Sequence, residues 1–406
     1  MVNIRHTQDR RTDYMKTRIA LVFGGRSVEH EVSVISGIQA YMSIDRDRYD
    51  VTPVYMTKES DFYVGEDIGD IKSYRDIPAL LKKSRRVILV RDNEGVYFTQ
   101  YPAPKLGKAY KLPVDLIFPV VHGTNVEDGA LQGYFKTLGV PFVGCDVCAS
   151  AIGMDKYIMK TVLKDNDVPV LDGTVYTLSD YEDMDTLVEN IESTYGYPVI
   201  IKPVNLGSSV GISVAHDRNE LIDSIDDAYR YASVILAEHA ISNLREINCA
   251  VLGDENHAEA SECEEPMHTE DILSYEDKYV SGAKGGKSQG MASVTRKIPA
   301  DISNELRERI RDTAVRAFKA LRCNGVARID FMIDNDNGEL YFNEINTIPG
   351  SLAFYLWEPL GKPYKQLITD MIELALKRAR QDAALTFTFD TNILQGATLG
   401  GSKGKV

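Results

Sequence analysis

Residues 326–346, VARIDFMIDNDNGELYFNEIN, constrain the fold more than any other stretch of the chain. Two runs rich in β-branched and aromatic residues flank DNDNGE, and Asn337-Gly338 is a strong tight-turn signal, so the segment reads as an antiparallel hairpin. With the turn centred on Asn337, Asp330 stands opposite Glu344 and Arg328 opposite Asn346. Side chains alternate across a strand, so Arg328, Asp330, Glu344 and Asn346 share one face. Two directly opposed carboxylates repel. A hard cation reverses that cost, because Mg²⁺ takes oxygen ligands from one or two carboxylates and fills its shell with water and substrate phosphates. The competing reading is an Arg–Asp/Glu salt-bridge cluster on a solvated sheet face. The added amide and arginine, and the NTIPGS run that follows, favour the metal.

A chain of 406 residues has room for two or three domains, and 44% apolar residues suffice for several cores. The net charge is −14, with no large Lys/Arg block, which argues against nucleic acid or an anionic membrane as partner. The first 16 residues are charged and lack the apolar stretch of a secretory signal. No segment has the length of a membrane span. Five cysteines, an odd number in a long chain, suit a reducing compartment, so a cytoplasmic protein is expected. Cys145 and Cys148 form a lone C-x-x-C without a second pair, and are read as small packing residues.

Along the chain, residues 1–16 read as a disordered extension and 17–144 as a first unit. There the strands at 19–23, 50–56 and 115–121 alternate with helices at about 28–43 and 130–139. That alternation predicts an α/β, doubly wound parallel sheet with ligands at the carboxyl ends of its strands. A second unit spans 145–240, with helical spacing over 149–166 and strands at 199–204 and 210–215. A third spans 241–385, with strands at 247–253, 326–334 and 340–346. Within it the polar stretch of about 267–294 is too long for an ordinary connection and reads as a lid. Residues 386–406 read as a flexible tail.

In VIIKPVNLGSSVGIS, Lys202 lies inside an apolar strand, and lysine is rarely buried without a partner. It therefore points at a fixed anion, and the following loop can offer backbone N–H groups to phosphate oxygens. The spacing is neither that of a P-loop nor that of a dinucleotide fingerprint. Taken alone, GSSVG is as good a β-turn as a phosphate cover, and Lys156 in MDKYIMK can equally run its stem along apolar surface. Lysines for phosphates, carboxylates for magnesium and an arginine for developing charge together outline phosphoryl transfer.

With these residues in view, the chain closely resembles the D-alanine–D-alanine ligase family of the ATP-grasp superfamily, from about residue 17 to residue 385. The carriers are LVFGGRSVEHEVSVISG, HGTNVEDGALQG, GVPFVGCDVCASAIGMDK, VIIKPVNLGSSVGIS, REINCAVLG, SYEDKY, GVARIDFMID and FNEINTIPGS. The resemblance implies a three-domain ATP-grasp fold whose last two domains enclose ATP. It implies Mg²⁺, as two ions that Mn²⁺ can replace, D-alanine as substrate, and a homodimer. The implied reaction phosphorylates one D-alanine carboxylate and lets the amine of a second attack the acylphosphate, for peptidoglycan precursors.

Residue by residue, Glu29 matches the acid that holds the first ammonium, and Ser208 and Tyr279 match its partners in a triad joining lid to substrate domain. His122 matches the group near the first carboxylate. Lys156, Lys202, Ser209 and Lys278 match phosphate contacts, while Glu238 and Glu246 match the adenine hinge and ribose contacts. Asp330, Glu344 and Asn346 match the metal ligands, and Arg328 with the Gly350 N–H matches the oxyanion donors. In the run SLAFYLWEP, Tyr355 stands where many members have the serine that contacts the acceptor, while Leu356 is kept. The lid run SGAKGGKSQGMAS is also longer than usual. An acceptor other than D-alanine, D-serine or D-lactate, is therefore the alternative, and a non-catalytic nucleotide-binding regulator ranks below it.

Overall fold

The computed structural model describes residues 16–207, 210–267, 296–388 and 391. Ser208, Ser209, Lys278, Tyr279, nearly all of the expected lid and most of the expected tail lie outside these residues.

The first sheet contains β1 (Thr17–Gly24), β2 (Tyr49–Met56), β3 (Phe62–Val64), β4 (Arg85–Asp92), β5 (Gly95–Gln100), β6 (Lys111–Pro113) and β7 (Leu116–Val121), in the order β6-β5-β4-β3-β2-β1-β7. Its β2–β1–β7 end is parallel, as the strand–helix alternation predicts. The other four strands are added antiparallel, through the short polar connections of residues 57–112. Helix α1 (His30–Ser43) covers β1 and buries Val32, Ser33, Val34, Ser36, Gly37, Ile38 and Ala40. This wide buried face follows from the helix's position between the sheet and the C-terminal segment, while Glu31 and Met42 stay exposed on the other side. At the end of β1, Gly24 has φ +96°, and a Cβ there would lie 2.2 Å from the Met56 carbonyl oxygen. Only glycine fits that approach.

The short helices α2 (Ile77–Lys83) and α3 (Ala130–Leu138) complete this region. The expected helix of 149–166 is two helices, α4 (Val147–Met154) and α5 (Lys156–Lys164). The break falls at Asp155, whose carboxylate accepts the N–H groups of Tyr157 and Ile158 and so starts a new helix instead of continuing the old one. Cys145 is buried against Cys323, but Cys148 is exposed on α4, so only the first of the pair is a packing residue.

The second sheet has β8 (Gly173–Thr177), β9 (Val199–Pro203), β10 (Ser213–Ala215) and β11 (Val234–His239), in the order β10-β9-β11-β8, all antiparallel. Helices α6 (Leu178–Tyr181), α7 (Met184–Tyr195) and α8 (Arg218–Tyr229) accompany it, and α7 and α8 share its apolar core. The third sheet has β12 (Leu244–Gly253), β13 (Ala258–Pro266), β14 (Arg296–Lys297), β15 (Gly325–Asp334) and β16 (Glu339–Asn346), in the order β14-β13-β12-β15-β16. Helix α9 (Asn304–Ala320) packs its apolar face on it.

After β16 the chain returns to the first sheet. Ile348, Leu352, Ala353, Leu356, Trp357 and five apolar residues of α10 (Tyr364–Asp382) share one core with Ile19, Leu21 and Phe23 of β1. This return clamps the segment after the hairpin against α1, and it builds the site.

Candidate active site

The hairpin is the site's floor. Arg328 pairs with Asn346 and Asp330 with Glu344, the register expected from alternation. The turn centres between Asp336 and Asn337, half a residue before the expected centre: Asp334 pairs with Glu339, and the Gly338 N–H donates to the Asp334 carbonyl at 2.7 Å. A one-residue bulge at Asn343 restores the register, since Phe331 pairs with Phe342 and Asp330 with Glu344. There the Phe342 N–H leaves the ladder and donates to Pro169 at 2.7 Å. The bulge turns Asn343 toward β9, where its Oδ1 lies 3.5 Å from Lys202 Nζ.

The polar face is half-buried, with the Arg328, Asp330 and Glu344 side chains 11%, 15% and 24% exposed, which argues against a solvated surface salt bridge. Arg328 donates two parallel bonds to Asp330, both 2.7 Å, and the Asn346 amide donates to the same carboxylate at 3.2 Å. Burial lifts Asp330 to about 6 in spite of that arginine, and Glu344 adds to the rise. Burial also works against the Arg328 charge, but Asp330 keeps the guanidinium protonated well above its usual range. Among the described residues no three His, Cys, Asp or Glu side chains converge as a metal site. The candidate ligands are thus two carboxylates and one amide. This all-oxygen set of opposed acids, with burial disfavouring the Asp330 charge, fits a hard divalent cation that also binds phosphate.

The lysines lie beside this face. Lys156, the first residue of α5, is buried, donates to the Leu206 carbonyl of the glycine–serine loop, and stands 3.9 Å from Glu344. It does not run out to solvent. Lys202 is buried too and donates to Glu238 at 2.8 Å. Glu238 is fully buried on β11 and takes a second ammonium, Lys160, one helical turn after Lys156. Burial raises Glu238 most, yet Lys202 and Lys160 together hold it below its ordinary value. Lys160 is pushed down to about 8 by the same burial. Lys160 was missed in the sequence, although its i+4 spacing from Lys156 was visible. Glu246 is half-buried on β12 opposite Met332.

Glu29 caps the entry to α1 and is nearly buried. A Cβ at Gly123 would lie 2.6 Å from its Oε2, and one at Gly207 3.6 Å from it, so the acid sits where the first sheet meets the glycine–serine loop. His122 follows β7 with both ring nitrogens engaged: Nδ1 lies 2.8 Å from the Ile348 carbonyl and Nε2 3.0 Å from Ser36 Oγ. Burial, with Arg328 nearby, pushes it down to about 4. Its expected contact to a substrate carboxylate through a ring nitrogen would need one of those bonds to break.

A buried acid absent from the sequence reading, Glu127, accepts the N–H groups of Gly123 at 3.0 Å and Ile348 at 2.8 Å, and the Thr347 hydroxyl at 3.2 Å. Burial and Glu29 nevertheless push it up to about 8. It lies in HGTNVEDG, five residues after His122, but nothing in local spacing tells that it reaches residue 348.

Gly350 opens a tight turn, Gly350–Leu356, in which Ser351, Leu352 and Ala353 have φ of +52°, +53° and +50°. Three successive left-handed residues without glycine are costly, about 1–2 kcal/mol each. Tyr355 donates to Glu264 at 3.3 Å and lies beneath Arg296, whose guanidinium carbon is 4.0 Å from the ring centroid. Burial and Glu264 push the Tyr355 hydroxyl up to about 12. Leu356 is wholly buried in the core, so its side chain packs, and a ligand could meet only its backbone.

Two antiparallel sheets meeting over buried lysines on one side and a carboxylate hairpin on the other define an ATP-grasp enzyme. The chain belongs to the D-alanine–D-alanine ligase family: family models described as the D-ala D-ala ligase N-terminus and C-terminus match residues 18–145 and 162–373. It is 40% identical over 375 residues to the D-alanine–D-alanine ligase of Acetivibrio thermocellus, covering 89% of this chain and 96% of that one. The ligase of Thermosipho melanesiensis is 36% identical over 377 residues, 93% and 98% of the two chains. Among solved structures, the D-alanine-D-alanine ligase from Coxiella burnetii superposes with a TM-score of 0.75 at 27% identity, over 91% of this chain and 96% of that chain. The VanG D-Ala:D-Ser ligase from Enterococcus faecalis gives 0.73 at 30% identity, over 89% and 99%. Membership makes this chain an ATP-using ligase.

Proposed function

We propose that the chain joins two D-alanines into D-alanyl-D-alanine with ATP and Mg²⁺, for peptidoglycan precursors. The observation that carries this reading is the half-buried face on which Asp330 opposes Glu344, with Arg328, Asn346 and the buried Lys156 alongside. Asp330, Glu344 and Asn346 would hold Mg²⁺, which would neutralise phosphate charge there. Lys156, Lys202 and Lys278 hold phosphate oxygens, as does Ser209. Glu238 orients Lys202, and with Glu246 it borders the nucleoside.

Glu29 receives the ammonium of the first D-alanine, supported by Ser208 and Tyr279. The first carboxylate attacks the γ-phosphorus, ADP leaves, and an acylphosphate forms. The uncharged amine of the second D-alanine attacks the acyl carbon. The tetrahedral oxyanion faces the Arg328 guanidinium and the Gly350 N–H, and phosphate departs with the C–O bond electrons as the amine loses its proton. Fixed donors of this kind lower the barrier without reorganising during the step. Tyr355 and Leu356 border the acceptor.

The same reading includes a cytoplasmic homodimer, a division at residues 144 and 240 into three domains, and a lid over 267–294. Among the described residues no helix is long and apolar enough to cross a membrane. The test is product analysis after incubation with ATP, Mg²⁺ and D-alanine, alone and against D-serine and D-lactate. D-Alanyl-D-alanine as the main product is expected. A depsipeptide or D-alanyl-D-serine in excess would replace the acceptor, and ATP turnover at background with every D-amino acid would remove the activity.

A further inference from the structure

The last residue of the motif GGRSVEHEVSVIS is its third serine, Ser36, to which the reaction above gives no role. It lies on the buried face of α1, and three groups from three parts of the chain meet there. The Ile348 carbonyl can only accept, so His122 Nδ1, 2.8 Å away, carries the ring proton. The buried ring beside Arg328 is neutral, so Nε2 presents its lone pair and accepts from the Ser36 hydroxyl at 3.0 Å. Ser36 Oγ in turn accepts the Ser351 N–H at 2.9 Å. The polarity runs one way throughout: Ser351 N–H to Ser36, Ser36 O–H to His122, His122 Nδ1–H to Ile348. The chain of bonds closes on the backbone two residues before Gly350 and one residue after it.

Neighbouring contacts hold the same turn. Ser351 Oγ donates to Gln39 Oε1 at 2.7 Å, one helical turn beyond Ser36, and Glu127 accepts the Ile348 N–H from the opposite side. Left-handed backbone at residues 351–353 persists only where its surroundings over-determine it, and such strain gathers at functional sites.

We infer that Ser36, acting through His122, is a positioning residue that fixes the Ile348–Ser351 backbone and so aims the Gly350 N–H. The inference rests on the role proposed above for Gly350. It assigns His122 to the turn and not to the substrate.

Two measurements on the full chain test it. ¹⁵N NMR of histidine-labelled protein, with His122 assigned from a His122→Asn variant, reads the tautomer at neutral pH. A single Nδ1–H form is expected, and an Nε2–H form overturns the inference. Steady-state kinetics compares the wild type with Ser36→Ala and Ser36→Thr. Ser36→Ala lowers kcat by about 10–100-fold, the scale of a misaligned reacting group, with the ATP KM within about twofold. Ser36→Thr, which keeps the hydroxyl, recovers most of that loss. An unchanged kcat in Ser36→Ala overturns the inference, as does a loss shared equally by kcat and ATP binding that threonine does not repair. If Ser36→Ala does not fold, the tautomer and the threonine variant decide. A wild type that forms no dipeptide refutes the proposed reaction, and the tautomer still decides whether the serine–histidine chain exists.

Discussion

Replacing Glu127 by glutamine tests the electrostatics that join the first sheet to the end of the hairpin. Glu127 is buried, and burial with Glu29 lifts it from its ordinary 4.5 to about 8 against three donors. A carboxyl whose folded pKa is raised binds its proton more tightly when folded. Its stabilisation is therefore complete below about pH 4.5 and is lost as the pH rises through about 8. At about 1.4 kcal/mol per pH unit, the full loss is about 5 kcal/mol, and about 4 kcal/mol of it falls between about pH 5 and pH 8.

Glutamine cannot ionise. Its oxygen can keep the Ile348 and Thr347 donors, while its NH₂ faces the Gly123 N–H, a mismatch of about 1–3 kcal/mol. Urea denaturation of both chains across this range, followed by circular dichroism, measures the difference. At about pH 5 the variant is expected to be the less stable, and the gap closes and reverses as the pH approaches 8. A gap independent of pH, or one that widens with pH, would mean that Glu127 is ionised throughout and that its donors outweigh burial.

Glu344→Gln should lower magnesium-dependent turnover by at least about 100-fold, the scale of losing transition-state charge stabilisation, and near-normal rates at saturating Mg²⁺ would refute the metal assignment. Glu238→Gln leaves Lys160 and Lys202 buried without their shared carboxylate, so it should cost about 3–5 kcal/mol of stability. A thermal midpoint within a degree or so of wild type would show that the pair carries no such burden. Gly123→Ala would put a methyl 2.6 Å from Glu29 Oε2 at a backbone φ of +84°, and should raise the D-alanine KM more than the ATP KM. Equal rises in both would detach Glu29 from the amino-acid site.

The sequence by itself determined what local geometry controls. Alternation and one Asn-Gly turn gave the hairpin and the pairing of Asp330 with Glu344 and of Arg328 with Asn346, although that pairing also needs the bulge at Asn343, which alternation does not foretell. The parallel core of the first sheet was legible for the same reason, since β1, β7 and α1 announce themselves by apolar runs and a Gly-Gly turn. Tertiary structure decided whatever depends on chain segments far apart in sequence. It turned Lys156 inward, shared Glu238 between Lys160 and Lys202, occupied both nitrogens of His122, and buried Leu356 in the first core. Local spacing cannot say which distant surface a side chain will meet. That is fixed only when residues 347–375 fold back on the first sheet, and their packing decides which polar groups lose water and must find partners.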